Sequence, residues 1–154
     1  MYTPLKPVQV KSTYSIEIPK IKAYAPIIAN VDPWTKENYS EALTKGVAQA
    51  KGFADFGEKG TIFLFAHSSL PPWQITRANT AFLRLDDLKV GDEIIVKKFA
   101  ETYHYKVVDK KKIWPDDVAA ITNEVEDQII LQTCTPLGTD LQRLLVFAKP
   151  VPKE

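Results

Sequence analysis

One cysteine and two histidines among 154 residues leave this chain few routes to chemistry. A single thiol cannot close an intrachain disulfide and supplies no cysteine-rich metal site. The two histidines, His67 and His104, have no clustered carboxylates beside them, so no metal-ligand spacing is present and no cofactor is implied. Formal net charge is only +1. No basic stripe interleaved with aromatics runs along the chain, which argues against nucleic acid as a partner. No segment reaches the roughly 20 apolar residues that span a bilayer; the uncharged stretch 61–76 is interrupted by His67, by serines and by Pro71-Pro72. Tyr2 to Val10 contains Pro4, Lys6 and Pro7 and does not read as a signal peptide. Internal repeats, low-complexity tracts and linkers to a second domain are also missing.

What remains suits one domain. An apolar content of 45% in 154 residues can bury a core without covalent staples. Strand patterns dominate. Tyr14 to Ile18 alternates, and Ala25-Pro26-Ile27-Ile28 reads as a short strand whose proline suggests an edge. Asp32-Pro33-Trp34-Thr35-Lys36-Glu37 predicts a helix entry with Asp32 as N-cap and Pro33 at the first helical position. That helix would run through Tyr39, Ala42 and Leu43 and end near Gly46. Ala78 to Leu88 predicts a second helix, with Phe82, Leu85 and Leu88 at helical spacing. Glu93 to Lys98 and Thr102 to Val108 read as a hairpin. Ile113 to Asp127 reads as a longer polar connection with a helical turn over Asp116 to Ile121. Many strands, few helices and closely spaced turns indicate an all-β barrel or sandwich.

The chemistry gathers at strand ends. In Gln128-Ile129-Ile130-Leu131-Gln132-Thr133-Cys134-Thr135-Pro136 an apolar run reaches the thiol and then breaks into a turn. A second run from Arg143 to Ala148 can return antiparallel, which would bring Arg143 near Cys134. A lone cysteine is usually a small apolar filler. The arginine outweighs that reading, because a thiol beside fixed positive charge is a plausible nucleophile. Another apolar strand, Thr61 to Ala66, ends on His67 and passes into Ser68-Ser69, and strand ends are where connecting segments carry function. His104 lies instead inside Tyr103-His104-Tyr105, where alternation turns it away from both tyrosines and gives it no catalytic role.

Leu131-Gln132-Thr133-Cys134, with Arg143 nine residues after the thiol, resembles the Leu-Xaa-Thr-Cys…Arg signature of sortases. Phe65-Ala66-His67-Ser68-Ser69 is similar to their catalytic histidine segment, with Ala66 in place of a glycine often found there. The likeness continues through Ile18-Pro19-Lys20-Ile21, Ala25-Pro26-Ile27-Ile28, Gly46-Val47-Ala48 and Leu85 to Ile94. It spans residues 14 to 149, leaving 1–13 as an N-terminal extension expected to be flexible and 150–154 as a C-terminal tail.

The resemblance implies a single mainly β domain, the eight-stranded sortase barrel with a few short helices. It implies a cysteine transpeptidase that cleaves a Leu-Pro-Xaa-Thr-Gly-like sorting signal between Thr and Gly, with His67, Cys134 and Arg143 as the catalytic set. Leu131 and Thr133 would line the substrate groove, with ordinary strand packing as the alternative for both. The 113–127 connection would be the specificity loop, with Val118 and Ile121 as an apolar wall. Partners would be the sorting signal of a secreted protein and an amine acceptor, either a cell-wall precursor or a protein amine. No cofactor or metal is implied, and no compact acidic cluster suggests calcium activation. Sortases are usually tethered outside the plasma membrane by an N-terminal apolar helix. These residues read as a soluble catalytic domain of the cell envelope, reaching the membrane only through an anchor absent from this chain.

Asp32-Pro33-Trp34 also matches the Asp-Pro-aromatic plug of pilus-assembling sortases. That plug precedes the first barrel strand, however, whereas here the tripeptide follows the second, and a helix start explains it better. An L,D-transpeptidase would show a Ser-His-Gly-Cys-type run, and a papain-like hydrolase would place cysteine before histidine; neither pattern fits. A catalytically silent, β-rich peptide-binding module of the cell surface is the remaining alternative.

Overall fold

Three runs in which apolar residues follow one another without polar alternation become strands covered on both faces, as such runs should. They lie in β4 (Thr61–Phe65), β7 (Gln128–Thr135) and β8 (Gln142–Pro150). The computed structural model of the protein describes residues 13–66, 81–135 and 141–152. The other strands are β1 (Tyr14–Ile18), β2 (Ala23–Val31), β3 (Val47–Ala50), β5 (Glu93–Lys98) and β6 (Glu101–Ile113). They form a closed barrel in the order β1-β2-β3-β4-β7-β8-β6-β5, which removes every sheet edge. The β2–β3 and β4–β7 pairs are parallel and the remaining pairs antiparallel. The fold is thus mainly β, an eight-stranded barrel with, among the described residues, two short α-helices, α1 (Lys36–Lys45) and α2 (Ala119–Thr122).

The period of two along each strand divides the core into two layers. Ile16, Ile18, Ile62, Leu64, Ile94, Val96, Leu131 and Val146 fill the barrel interior. Phe63, Phe65, Ile130, Leu145 and Phe147 point outward into a second apolar cluster that includes Ala42 and Leu43 of α1 and Ile121 of α2. Tyr39 of α1 meets Phe65 edge-on with ring centroids 5.7 Å apart, a favoured aromatic geometry. The β5–β6 side has no such cover. Its strands alternate between buried and solvent-facing residues, and exposed His104 meets Glu93 at 3.0 Å while Tyr105 is buried.

Several expectations are corrected. The first helix begins at Lys36, with Thr35 as its N-cap, because Asp32 spends its carboxylate inside a preceding turn. Pro26 is not on an edge: β2 pairs with β1 along Ala23–Pro26 and with β3 only from Ile27 onward. A missing N–H at Pro26 therefore costs no bond to β3. The expected helix over Ala78 to Leu88 lies partly outside the described residues. Its described part is a turn followed by a 3-10 segment, Leu85–Asp87, with Phe82, Leu85 and Leu88 fully buried. Those three residues were apolar at helical spacing because they cap the barrel interior. β6 runs on to Ile113, and the helical turn after it is α2.

Gly46 joins α1 to β3, and a Cβ there would overlap the carbonyl oxygen of Pro26. The demand is for space, since the Gly46 backbone is extended. Gly46→Ala is expected to lower unfolding free energy by about 1–3 kcal/mol, the usual cost of overpacking a closed site. Urea denaturation checks this; a variant as stable as the parent would mean that α1 can back away from β2 without loss.

Candidate active site

The β7–β8 register sets Cys134 directly against Arg143. Both side chains share the outer face with Ile130, Gln132, Leu145 and Phe147, since alternation carries that face along each strand. Arg143 Nη1 donates to Cys134 Sγ at 3.2 Å in a partly buried setting. A guanidinium is permanently charged and stabilises an anionic sulfur. Parallel pairing of β4 with β7 brings a third strand to the same place. Phe65 stands opposite Gln132, and the Ala66 N–H donates to the Gln132 carbonyl at 3.0 Å. His67, the next residue, lies outside the described residues.

Cys134 and Arg143 stand in a groove of about 540 Å³. Phe63, Phe65 and Ile121 give it an apolar floor drawn from the outer core layer. The β6–β7 connection contributes Pro115, Asp117 and Val118, and the β2–α1 connection contributes Pro33 and Trp34. This volume lies in the range of sites that hold small molecules or short peptides. Among the described residues no group of His, Cys, Asp or Glu could hold a metal ion, and no helix is long and apolar enough to cross a membrane.

The Asp32 turn fixes the groove's aromatic side. Asp32 accepts from the Trp34 N–H at 2.9 Å and from the Thr35 hydroxyl at 2.9 Å. The Trp34 amide, then the Thr35 hydroxyl, the Asn38 amide and the nearby Lys51 charge hold the Asp32 carboxyl below its ordinary range. An acid depressed in this way contributes its order above its ordinary range and loses it as pH falls through the lowered value. The turn is therefore fully formed at neutral pH and weakens only in acid.

The structure brings some of the predicted site residues together and separates others. Val118, about one-third exposed, and buried Ile121 both line the groove. Thr133 borders it as well, but it is buried and shares the inward face of β7 with Leu131, and its Oγ1 has no hydrogen-bond partner among the described residues. Leu131 was expected in the groove and is not there. It is 0% exposed and packs inside the barrel, because one residue of alternation turns it to the face opposite Gln132. Trp34, Tyr39 and Gln132 were not singled out as groove residues. Gln132 was legible from its spacing of two from Cys134, whereas Trp34 and Tyr39 arrive from a distant connection and helix.

The family model described as Sortase domain matches residues 16–151. The chain is 29% identical over 150 residues to sortase D of Bacillus subtilis (strain 168), covering 95% of this chain and 67% of that protein. Among solved structures, sortase C1 of GBS pilus island 1 superposes with a TM-score of 0.74 at 29% identity, over 92% of this chain and 64% of that one. A lid mutant of sortase A from Corynebacterium diphtheriae gives 0.73 at 30% identity, over 92% and 71%. The chain thus spans about two thirds of the length of the relatives it matches.

The opposite placements of Leu131 and Val118 can be separated by stability. Leu131→Ala should cost about 2–5 kcal/mol, the range for truncating a buried leucine. Val118→Ala on the groove rim should stay within about 0.5 kcal/mol of the parent. Chemical denaturation of both variants checks this, and equal losses would place Val118 in the core as well.

Proposed function

Because the chain belongs to the sortase family, we propose that it is a cysteine transpeptidase acting on a Leu-Pro-Xaa-Thr-Gly-like sorting signal, with Cys134 as nucleophile. The observation that carries this reading is the Arg143 guanidinium 3.2 Å from Cys134 Sγ in a groove large enough for a short extended peptide. The Cys134 thiolate attacks the threonine carbonyl, and the C–N bond to glycine breaks. His67, carried over from the family segment, gives a proton to the departing amine. The acyl group remains on sulfur as a thioester. An incoming amine then attacks the same carbonyl, returns a proton to His67 and restores the thiolate, leaving a new peptide bond. The acceptor is an amine of the cell envelope, and the reaction takes place on its extracytoplasmic side.

The other residues support these steps. Arg143 offers a planar fork of donors, which suits the thiolate first and the substrate's carbonyl oxygens once the sulfur is acylated. Thr133 borders the groove next to the nucleophile. Val118 and Ile121 supply apolar surface for the Leu-Pro part of the signal.

Cys134→Ala should abolish ligation and thioester formation while leaving the fold intact, since no other thiol exists in the chain. His67→Ala should lose at least about 10²-fold in rate, the scale of a general acid-base group, and His104→Ala should change little. Mass spectrometry of products from a signal peptide plus a library of amines measures all three. Ligation by Cys134→Ala, or equal losses at the two histidines, would overturn the assignment.

Arg143→Lys tests geometry against charge. A lysine keeps the charge without the fork, and the expected loss is about 10²–10³ in turnover, as for an oxyanion donor. Iodoacetamide labelling run alongside shows whether Cys134 still reacts. Near-full turnover in Arg143→Lys would mean that charge alone suffices.

A further inference from the structure

A second groove, of about 510 Å³, adjoins the first. The two share one lining residue, Trp34, which is 54% exposed. Gly60 and Thr61 at the start of β4 line the second groove, together with Val125 of the β6–β7 connection. Thr61 has the same parity as Phe63 and Phe65, so both grooves lie along the outer face of β4 and β7.

Register gives the distance between them. Thr61 pairs with Gln128, six residues before Cys134 on β7, a span of about 20 Å at roughly 3.3 Å per extended residue. A sorting signal cut after its fourth residue covers only about 13 Å of that span. With the signal laid along β7 from Cys134 toward Gln128, the two residues before the motif pass Trp34 and arrive at the second groove.

Charge there is unequal. Lys51 and Lys59 are exposed on its lining, and neither has an ion pair among the described residues. The acid on the lining, Glu124, accepts from the neutral Gln128 Nε2 at 3.1 Å and keeps its charge, so the lining carries two cations against one anion. Asp127 close by accepts the Gly60 N–H at 2.7 Å. Lys51 also lies near Asp32.

We propose that this second groove is a subsite for the peptide segment immediately before the sorting motif, with Trp34 as the shared ridge and Lys51 and Lys59 selecting acidic side chains in that segment. The inference rests on the transpeptidase reading above and adds to it a preference outside the motif.

The test uses one sorting motif preceded directly by two glutamates, two glutamines or two lysines, and compares kcat/KM for the three peptides. The glutamate peptide should exceed the lysine peptide by roughly three- to tenfold, the sum of two exposed charge pairs. The difference should reside in KM and shrink at high salt. It should vanish when the glutamates are moved four residues further upstream. In the Lys51→Gln/Lys59→Gln double variant the ratio should fall to near one. Equal kcat/KM for all three peptides, or a ratio that survives in the double variant, overturns the subsite while leaving the transpeptidase reading intact. No turnover of any peptide by the unaltered protein overturns that reading and the subsite with it.

Discussion

Seven residue pairs hold β7 against β8, from Ile129 opposite Ala148 to Thr135 opposite Gln142, and their register puts Arg143 across from Cys134. The pattern that enforces this register is apolar on both faces, with Leu144, Val146 and Ala148 inward and Leu145 and Phe147 outward. Slipping β8 by one residue would exchange the faces. Arg143 would then enter the barrel interior beside Ile129 and Leu131 of β7, where a guanidinium has neither water nor a counter-ion. The charge that equips the candidate site is thus also a charge the barrel cannot accept elsewhere. Register and chemistry are coupled through the cost of burying one side chain.

The outer apolar layer extends this constraint to the groove. Phe63 and Phe65 point away from the barrel and would be exposed without α1 and α2. Cover is complete over Leu145 and Phe147 but opens toward Cys134, where the structure leaves a cavity. Strands supply Cys134, Arg143 and most of the floor, and connections supply the sides. Such a division keeps the thiol and the guanidinium on rigid elements, with the sides of the groove on the connections.

How much of this was legible in the sequence depends on the range over which each signal acts. The runs at 61–66, 128–131 and 144–148 announced strands because both of their faces are covered, and Cys134 and Arg143 stood out because each sits where such a run meets polar residues. Leu131 was misassigned because closeness in sequence to Cys134 was read as closeness in the groove, whereas alternation separates them. The start of α1 was misread by three residues because Asp32 has two uses for its carboxylate, capping a helix or closing a turn, and only the fold decides between them. Phe82, Leu85 and Leu88 were read as a helix face, though the same spacing serves a turn and a 3-10 segment that cap the barrel. Trp34 gave no local sign of its position, because a connection between β2 and α1 carries it to strands more than 25 residues away in sequence.

That connection also bears on the likeness of Asp32-Pro33-Trp34 to a groove plug. A plug over the thiol would need side chains left over to engage the site. Here the Asp32 carboxylate is committed within its own turn, to the Trp34 N–H, the Thr35 hydroxyl and Asn38 Nδ2. Those bonds act on backbone and on neighbours, so they orient Trp34 without burying it, and the indole remains half-exposed where the two grooves meet. Pro33 and Trp34 thus stand on the groove lining while Asp32 holds the turn that carries them.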